Sequence, residues 1–262
     1  MVNGFISAFI LAVIQAVTEW VPVSSSGHLV LFTQILGYDG GLSFDLAVHF
    51  GTLIAVVVYF WNDLIGILKD FLRLDFKGEN GRLGLYLIVA SIPAAIVGLT
   101  FKSFFENAFS SLTSVSIGFG ITGLLLLIGS LDYKMNIKGI NKGVGFKRAL
   151  LIGCFQVLSI FPGISRSGST ISSGMLFGLS EKKAMSFAFL MAIPVIFGAN
   201  IIGFDFQALN LEMIWAILVS FVFGLLTIHF LLSKVLVDKR NLKWFAAYVF
   251  ALALGTGIYS LI

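Results

Sequence analysis

Two short stretches of this 262-residue sequence gather side chains that could do chemistry. The first runs from Gln15 to His28 and contains Glu19, Pro22, Ser24, Ser25, Ser26 and Gly27. Gln15 and Glu19 are four apart, so they share one face of an entering helix. Three serines followed by Gly27 make a turn rich in hydroxyls and free N–H groups. The N-terminus of the next helix points at that turn, where its dipole favours an anion. The second stretch holds Pro162, Gly163, Ser165, Arg166, Ser167, Gly168, Ser169 and Thr170. It repeats the anion nest and adds a guanidinium, whose planar donor fork matches phosphate oxygens and stays charged in a dry site. Two helix N-termini, several hydroxyls, one Arg, one His and one carboxylate suit a phosphate or diphosphate ester better than a sugar or a bare cation.

Composition says where this chemistry must sit. Hydrophobic residues make up 58% of the chain, 27 of them Phe, and only 11% are charged, against roughly 25% in a soluble domain. That excludes a soluble globular enzyme, a disordered chain and a disulfide scaffold, and leaves a polytopic membrane protein. The single Cys154 lies in an apolar run, so neither a disulfide framework nor a Cys-based metal site is available. A net charge of +4 reflects loop lysines and arginines rather than nucleic-acid binding. The first residues, 1–4, lack the basic region and cleavage site of a signal peptide, so the first apolar segment is expected to be retained.

Crossing the hydrocarbon core takes about 20 apolar residues. Six segments qualify: 46–61, 83–101, 112–131, 184–204, 211–232 and 242–262. Four others, 4–18, 28–36, 149–160 and 170–179, are too short and come as two pairs, each split by one of the polar turns, 19–27 and 161–169. Short apolar halves around an irregular polar turn predict a re-entrant helical hairpin, because irregular backbone survives at membrane depth only where protein or a wet cavity satisfies it. The alternatives are a single kinked helix or a segment lying on the surface.

An offset of 141 superposes Gln15 on Gln156, Thr18 on Ser159, Trp20 on Phe161, Val23 on Ile164, Ser24 on Ser165, Ser26 on Ser167 and Gly27 on Gly168. Each half then reads as one hairpin followed by three spans. An odd number of crossings inverts the second half, so the expected fold is all-α and integral to the membrane. It has six transmembrane helices and two re-entrant hairpins in an inverted-topology repeat. The chain forms one membrane domain, 1–262, with halves of about 1–131 and 147–262. Charge supports this count: fifteen of the 17 Lys and Arg fall on one side, only Lys102 on the other, and Arg166 remains in the membrane. The positive-inside rule makes the fifteen cytoplasmic and puts both termini outside.

Ionisable groups within a bilayer cost about 2.5 kcal/mol or more each and point to function. Several residues have plainer readings. Membrane Ser and Thr commonly glue helices together, Arg166 could be a counter-ion for Glu19, and His28 could be a capping residue. Asp45 and His49, four apart, form either a local pair or a support for the site. His229 reads as interfacial, and Pro93 and Pro194 as helix kinks.

The two turns resemble those of the undecaprenyl-diphosphatase family, integral-membrane enzymes associated with bacitracin resistance. Its first motif is matched by Gln15, Glu19, Pro22, Ser24, Ser25, Gly27 and His28, and its second by Pro162, Gly163, Ser165, Arg166, Ser167, Gly168 and Thr170. The stretch from Asp45 to Thr52 and the Ile-Pro segments are similar too, and the likeness covers essentially the whole chain. Many members carry Glu where this chain has Gln15, which leaves Glu19 as the safer carboxylate. Type 2 phosphatidic-acid phosphatases are set aside, because the His they need six residues past the Arg is Ser172 here.

The resemblance implies hydrolysis of a polyprenyl diphosphate to the monophosphate and phosphate, recycling the lipid carrier of cell-wall precursors in the cytoplasmic membrane. It also implies a divalent cation, Mg²⁺ or Ca²⁺, with Glu19 as a metal ligand. On this reading Glu19, Ser25, His28 and Arg166 are catalytic, and Gln15, Ser24, Ser26, Gly27, Ser165, Ser167, Gly168 and Thr170 bind phosphate. Ser25 would be the nucleophile and His28 its base; the rival is attack by a water held by Glu19 or His28. Partners are the lipid substrate and the bilayer, with no nucleic acid, and a homo-oligomer is compatible with the reading. The non-enzymatic alternative is a lipid transporter or flippase, since inverted repeats and broken helices are transporter architecture.

Overall fold

The computed structural model describes residues 4–38, 40–131, 143–235 and 238–261, and every regular element among them is helical. Residues 1–3, Lys134, Lys138, Lys142 and Ile262, used in the sequence reading, lie outside the described residues. In chain order the helices are α1 (Gly4–Thr18), α2 (Ser25–Leu36), α3 (Gly41–Tyr59), α4 (Trp61–Leu72), α5 (Glu79–Thr100) and α6 (Lys102–Phe109). Then come α7 (Leu112–Ser130), α8 (Phe146–Val157), α9 (Arg166–Leu176), α10 (Glu181–Gly203), α11 (Leu211–Phe230) and α12 (Leu242–Tyr259).

Six of them are long and apolar enough to cross a membrane: α3, α5, α7, α10, α11 with the π-helical turn that extends it to Val235, and α12. They correspond to the six expected spans. The shortest, of 19 residues, is about 28 Å long, close to the hydrocarbon thickness. The four short apolar segments are α1, α2, α8 and α9, each of 15 residues or fewer. Pro93 and Pro194 fall inside the unbroken helices α5 and α10.

Two helices, α4 and α6, were not expected. Neither has a continuous apolar run: α4 buries none of its residues and exposes Leu68 and Leu72. Charged residues break its pattern, and one of them, Asp70, holds the following segment by accepting the Gly81 amide at 2.9 Å.

The spans α3 and α11 pack as a pair, as do α7 and α12, while α5 packs against the short helix α8. Trp20, Phe119 and Phe189 are fully buried where the two polar turns enter this bundle. The backbones of α7 and the second turn approach closely. A Cβ on Gly118 would lie 2.0 Å from the Pro162 carbonyl oxygen, and one on Gly163 would lie 2.3 Å from the Val115 carbonyl oxygen. Gly163 also has φ +84°. Gly163→Ala therefore combines left-handed strain with overpacking, and about 2 kcal/mol or more of stability is expected to be lost. Thermal unfolding in detergent would read this as a lowered midpoint.

Candidate active site

Each polar turn ends in a serine cap that opens the next short helix. Ser24 precedes α2, and its Oγ accepts the Gly27 amide at 3.3 Å and lies 3.3 Å from Ser26 Oγ. Ser165 precedes α9 and does the same with the Gly168 amide at 3.0 Å and Ser167 Oγ at 3.2 Å. The three residues of each set are related by the offset of 141. Side-chain oxygens thus satisfy first-turn donors that the helix itself leaves free. One difference separates them: Ser24 sits at φ 70°, where a non-glycine residue is strained.

The turns touch. Ser167 Oγ donates to the Val21 carbonyl at 3.3 Å, and a Cβ on Gly27 would lie 3.1 Å from Gly163 Cα. Where they meet, Glu19 is the hub. Its Oε1 takes an N–H of Arg166 at 2.6 Å, and its Oε2 accepts from Ser25 Oγ at 2.5 Å and from Gln15 Nε2 at 3.0 Å. His49 Nε2 lies 3.6 Å from the same Oε2. The acid is 5% exposed and the guanidinium 12%, so this ion pair is largely out of water. Arg166 is further held by the Trp20 ring, 5.8 Å from its Cζ, and by the Ala188 carbonyl at 3.4 Å. Ser25 is the hydroxyl that remains part-exposed beside this cluster.

His28 is directed elsewhere. Its Nδ1 faces the Ser24 carbonyl at 2.7 Å, and a carbonyl can only accept, so Nδ1 carries the proton. Nε2 then accepts from the Tyr248 hydroxyl at 2.8 Å, and the ring packs on Tyr248 and Phe119. Both ring nitrogens are thus engaged away from Ser25, which the structure brings to Glu19 instead. The Thr170 hydroxyl is turned back onto the Arg166 carbonyl at 2.8 Å, and Ser169 onto the Ser165 carbonyl at 2.8 Å. His49, weighed earlier against a local pair with Asp45, does both: Nδ1 donates to the Asp45 carbonyl at 2.7 Å while Nε2 faces Glu19.

Sequence reasoning passed over Thr122 and Tyr248. Thr122 on α7 is fully buried, donates to the Gly163 carbonyl at 2.9 Å and accepts the Ser165 amide at 2.9 Å. One hydroxyl thereby braces the turn that presents Arg166. A threonine among Gly118, Gly120 and Gly123 is the trace it leaves in the sequence; Tyr248, inside an apolar span, leaves none. Thr122→Val keeps the shape and removes both bonds, stranding a buried amide and carbonyl, so about 2 kcal/mol of stability should go. Turnover is expected to fall with it and Thr122→Ser to restore both, as read by unfolding midpoints and phosphate release.

The family likeness implies a divalent cation. Among the described residues no three His, Cys, Asp or Glu side chains converge on a point, and Glu19, the one carboxylate of the cluster, already serves several donors. This donor set fits a cation carried largely by substrate oxygens, as Mg²⁺ commonly is, and does not fit an all-protein cage.

Residues 8–255 match the family model described as Bacitracin resistance protein BacA. The chain belongs to this family. Curated relatives agree over almost their whole length. The undecaprenyl-diphosphatase of Thermosipho africanus is 39% identical over 94% of this chain and 96% of its own. That of Thermosipho melanesiensis is 40% identical over 94% and 98%, and that of Methanococcus vannielii 36% over 94% and 96%. With the BacA family established and six spans in place, the chain is a multi-pass membrane protein.

Proposed function

We infer that this chain hydrolyses undecaprenyl diphosphate to undecaprenyl monophosphate and phosphate, recycling the lipid carrier of cell-wall synthesis and giving bacitracin resistance. The observation that carries the reading is the buried Glu19 carboxylate, bridging a part-exposed hydroxyl, Ser25, and a guanidinium, Arg166. A hydroxyl with a base 2.5 Å away, next to a cation that can take phosphate oxygens, is the arrangement of nucleophilic phosphoryl transfer.

Ser25 Oγ attacks the terminal phosphorus as its proton passes to Glu19 Oε2. The bond from that phosphorus to the bridging oxygen breaks, and polyprenyl monophosphate leaves. Water then hydrolyses the phosphoserine and releases phosphate. Arg166 stabilises charge on the transferring group through the N–H groups not spent on Glu19. Ser24, Ser26, Gly27, Ser165, Ser167 and Gly168 shape the nest around the diphosphate, and Gln15 orients Glu19. His28 fixes the turn through the Ser24 carbonyl. A Mg²⁺ or Ca²⁺ ion would be held by diphosphate oxygens with Glu19 as the protein carboxylate in reach, and when bound it neutralises diphosphate charge.

The two turns belong to hairpins that re-enter the cytoplasmic membrane from opposite faces in an inverted repeat, with halves of about 1–131 and 147–262 and both termini outside. Matching serine caps at the offset of 141, the four short helices and the one-sided basic loops support this. Detergent-solubilised protein is expected to release phosphate from undecaprenyl diphosphate, less with a chelator present. Glu19→Gln, which cannot take the Ser25 proton, should be about a thousandfold slower. A folded wild type that releases none would favour the transporter reading.

A further inference from the structure

Away from the Glu19–Arg166 cluster, the first turns of α5, α8 and α10 border a vestibule of about 1210 Å³. Arg82, Lys147, Lys182 and Lys183 line it, against two carboxylates, Asp63 and Glu79. All six side chains are exposed, and none forms an ion pair among the described residues. Among the described residues Arg82 makes one long contact, 3.4 Å, to the Gly78 carbonyl.

The placement of these cations is electrostatically unfavourable as it stands. A helix N-terminus carries about half a positive charge, and a cation there costs ~0.3–1 kcal/mol. Lys147 stands in the first turn of α8, and Lys182 and Lys183 in that of α10, with Arg82 at the start of α5. Glu181 opens α10 but does not line the cavity. Gly145, the N-cap of α8, offers no side-chain acceptor to first-turn N–H groups, whereas α5 has Asp70, which accepts the Gly81 amide at 2.9 Å, and α10 has its cap Ser180, which accepts the Lys183 amide. Basic loops alone would satisfy charge asymmetry across a membrane; they do not require cations of three helices to face one hollow. A bound anion would relieve the repulsion and accept from ammonium and guanidinium donors together. Ser186 and Ser233 add hydroxyls to the lining, and Tyr59 and Tyr86 close its sides.

We propose that this vestibule is a second anion site, built for a phosphate group, either free phosphate or the head of a phosphorylated lipid. Its floor includes Ser186, Phe187 and Leu190 of α10, the stretch that carries Ala188, whose carbonyl takes Arg166. The vestibule is therefore separated from the catalytic arginine by a single helix. The site does not depend on how Ser25 and Glu19 act.

The test uses protein with Arg166→Ala and Glu19→Gln together, which lacks the guanidinium of the cluster without stranding its carboxylate, titrated calorimetrically in detergent with inorganic phosphate once its unfolding midpoint shows that it is folded. A second arm titrates polyprenyl monophosphate into phosphatidylcholine nanodiscs holding the same protein. Binding in either arm that weakens about tenfold or more when Lys182→Glu and Lys183→Glu are added, and also falls with salt, is the expected result. The arm that responds identifies the source of the phosphate. Lys182→Gln with Lys183→Gln should give an intermediate loss, which separates charge from misfolding. No binding in either arm, or binding indifferent to the lysine changes, overturns the proposal. Absence of hydrolysis by wild type would overturn the phosphatase reading and leave these titrations unaffected.

Discussion

Arg166→Ala is expected to reduce phosphate release from undecaprenyl diphosphate by about a thousandfold, the scale seen when a preorganised donor to transition-state charge is removed from a dry site. Arg166 is 2.6 Å from Glu19, sits over Trp20 and touches the Ala188 carbonyl, so its fork is aimed before substrate arrives. Lysine cannot reproduce that fork, and Arg166→Lys should recover little activity. Removing the arginine also strands a buried carboxylate, which costs about 3–5 kcal/mol of stability. The two effects can be separated. Adding Glu19→Gln to Arg166→Ala removes the stranded charge, so the unfolding midpoint should recover while phosphate release stays low. Recovery of both, or of neither, would mean that the pair does not act as described.

Ser25→Ala should lower kcat by about three to four orders of magnitude and leave KM nearly unchanged, because the lost hydroxyl acts in the bond-making step rather than in binding. The alternative, a water activated by Glu19, predicts a modest loss, since Ser25 would then only line the phosphate pocket. Steady-state kinetics on undecaprenyl diphosphate, with unfolding midpoints to show that the variant is folded, distinguishes the two.

The membrane spans were legible because bilayer-spanning helices need long apolar runs, and segments such as 112–131 and 184–204 have them. The four short helices were legible for the complementary reason: polar turns interrupt them. Helices α4 and α6 were not, since amphipathic helices with charged faces, such as α4 with Asp63, Lys69 and Asp70, look like loops to a search for apolar runs. Within the site, residue types and spacing pointed to the cluster of Glu19, Ser25 and Arg166, but not to its wiring. The family likeness suggested His28 as the base for Ser25. The φ of 70° at Ser24 instead accompanies a turn that sends His28 to Tyr248 and leaves Ser25 against Glu19. Backbone conformation inside an irregular turn is set by what packs on it, here Phe119 of α7 against Gly27 and Thr122 against the second turn. No local pattern encodes it. For His49 the sequence left a local pair with Asp45 and a supporting role in the site equally open, because its approach to Glu19 depends on how α3 docks beside α1.

The most direct measurement follows the transferred phosphate itself. Undecaprenyl diphosphate radiolabelled in its terminal phosphate would be mixed with wild-type protein, quenched in acid within the first turnover and digested for mass spectrometry. The mechanism requires label bound covalently to Ser25, appearing before free phosphate and absent from Ser25→Ala. Free phosphate formed with no labelled protein at any time, together with an active Ser25→Ala enzyme, would contradict it and assign the attack to water.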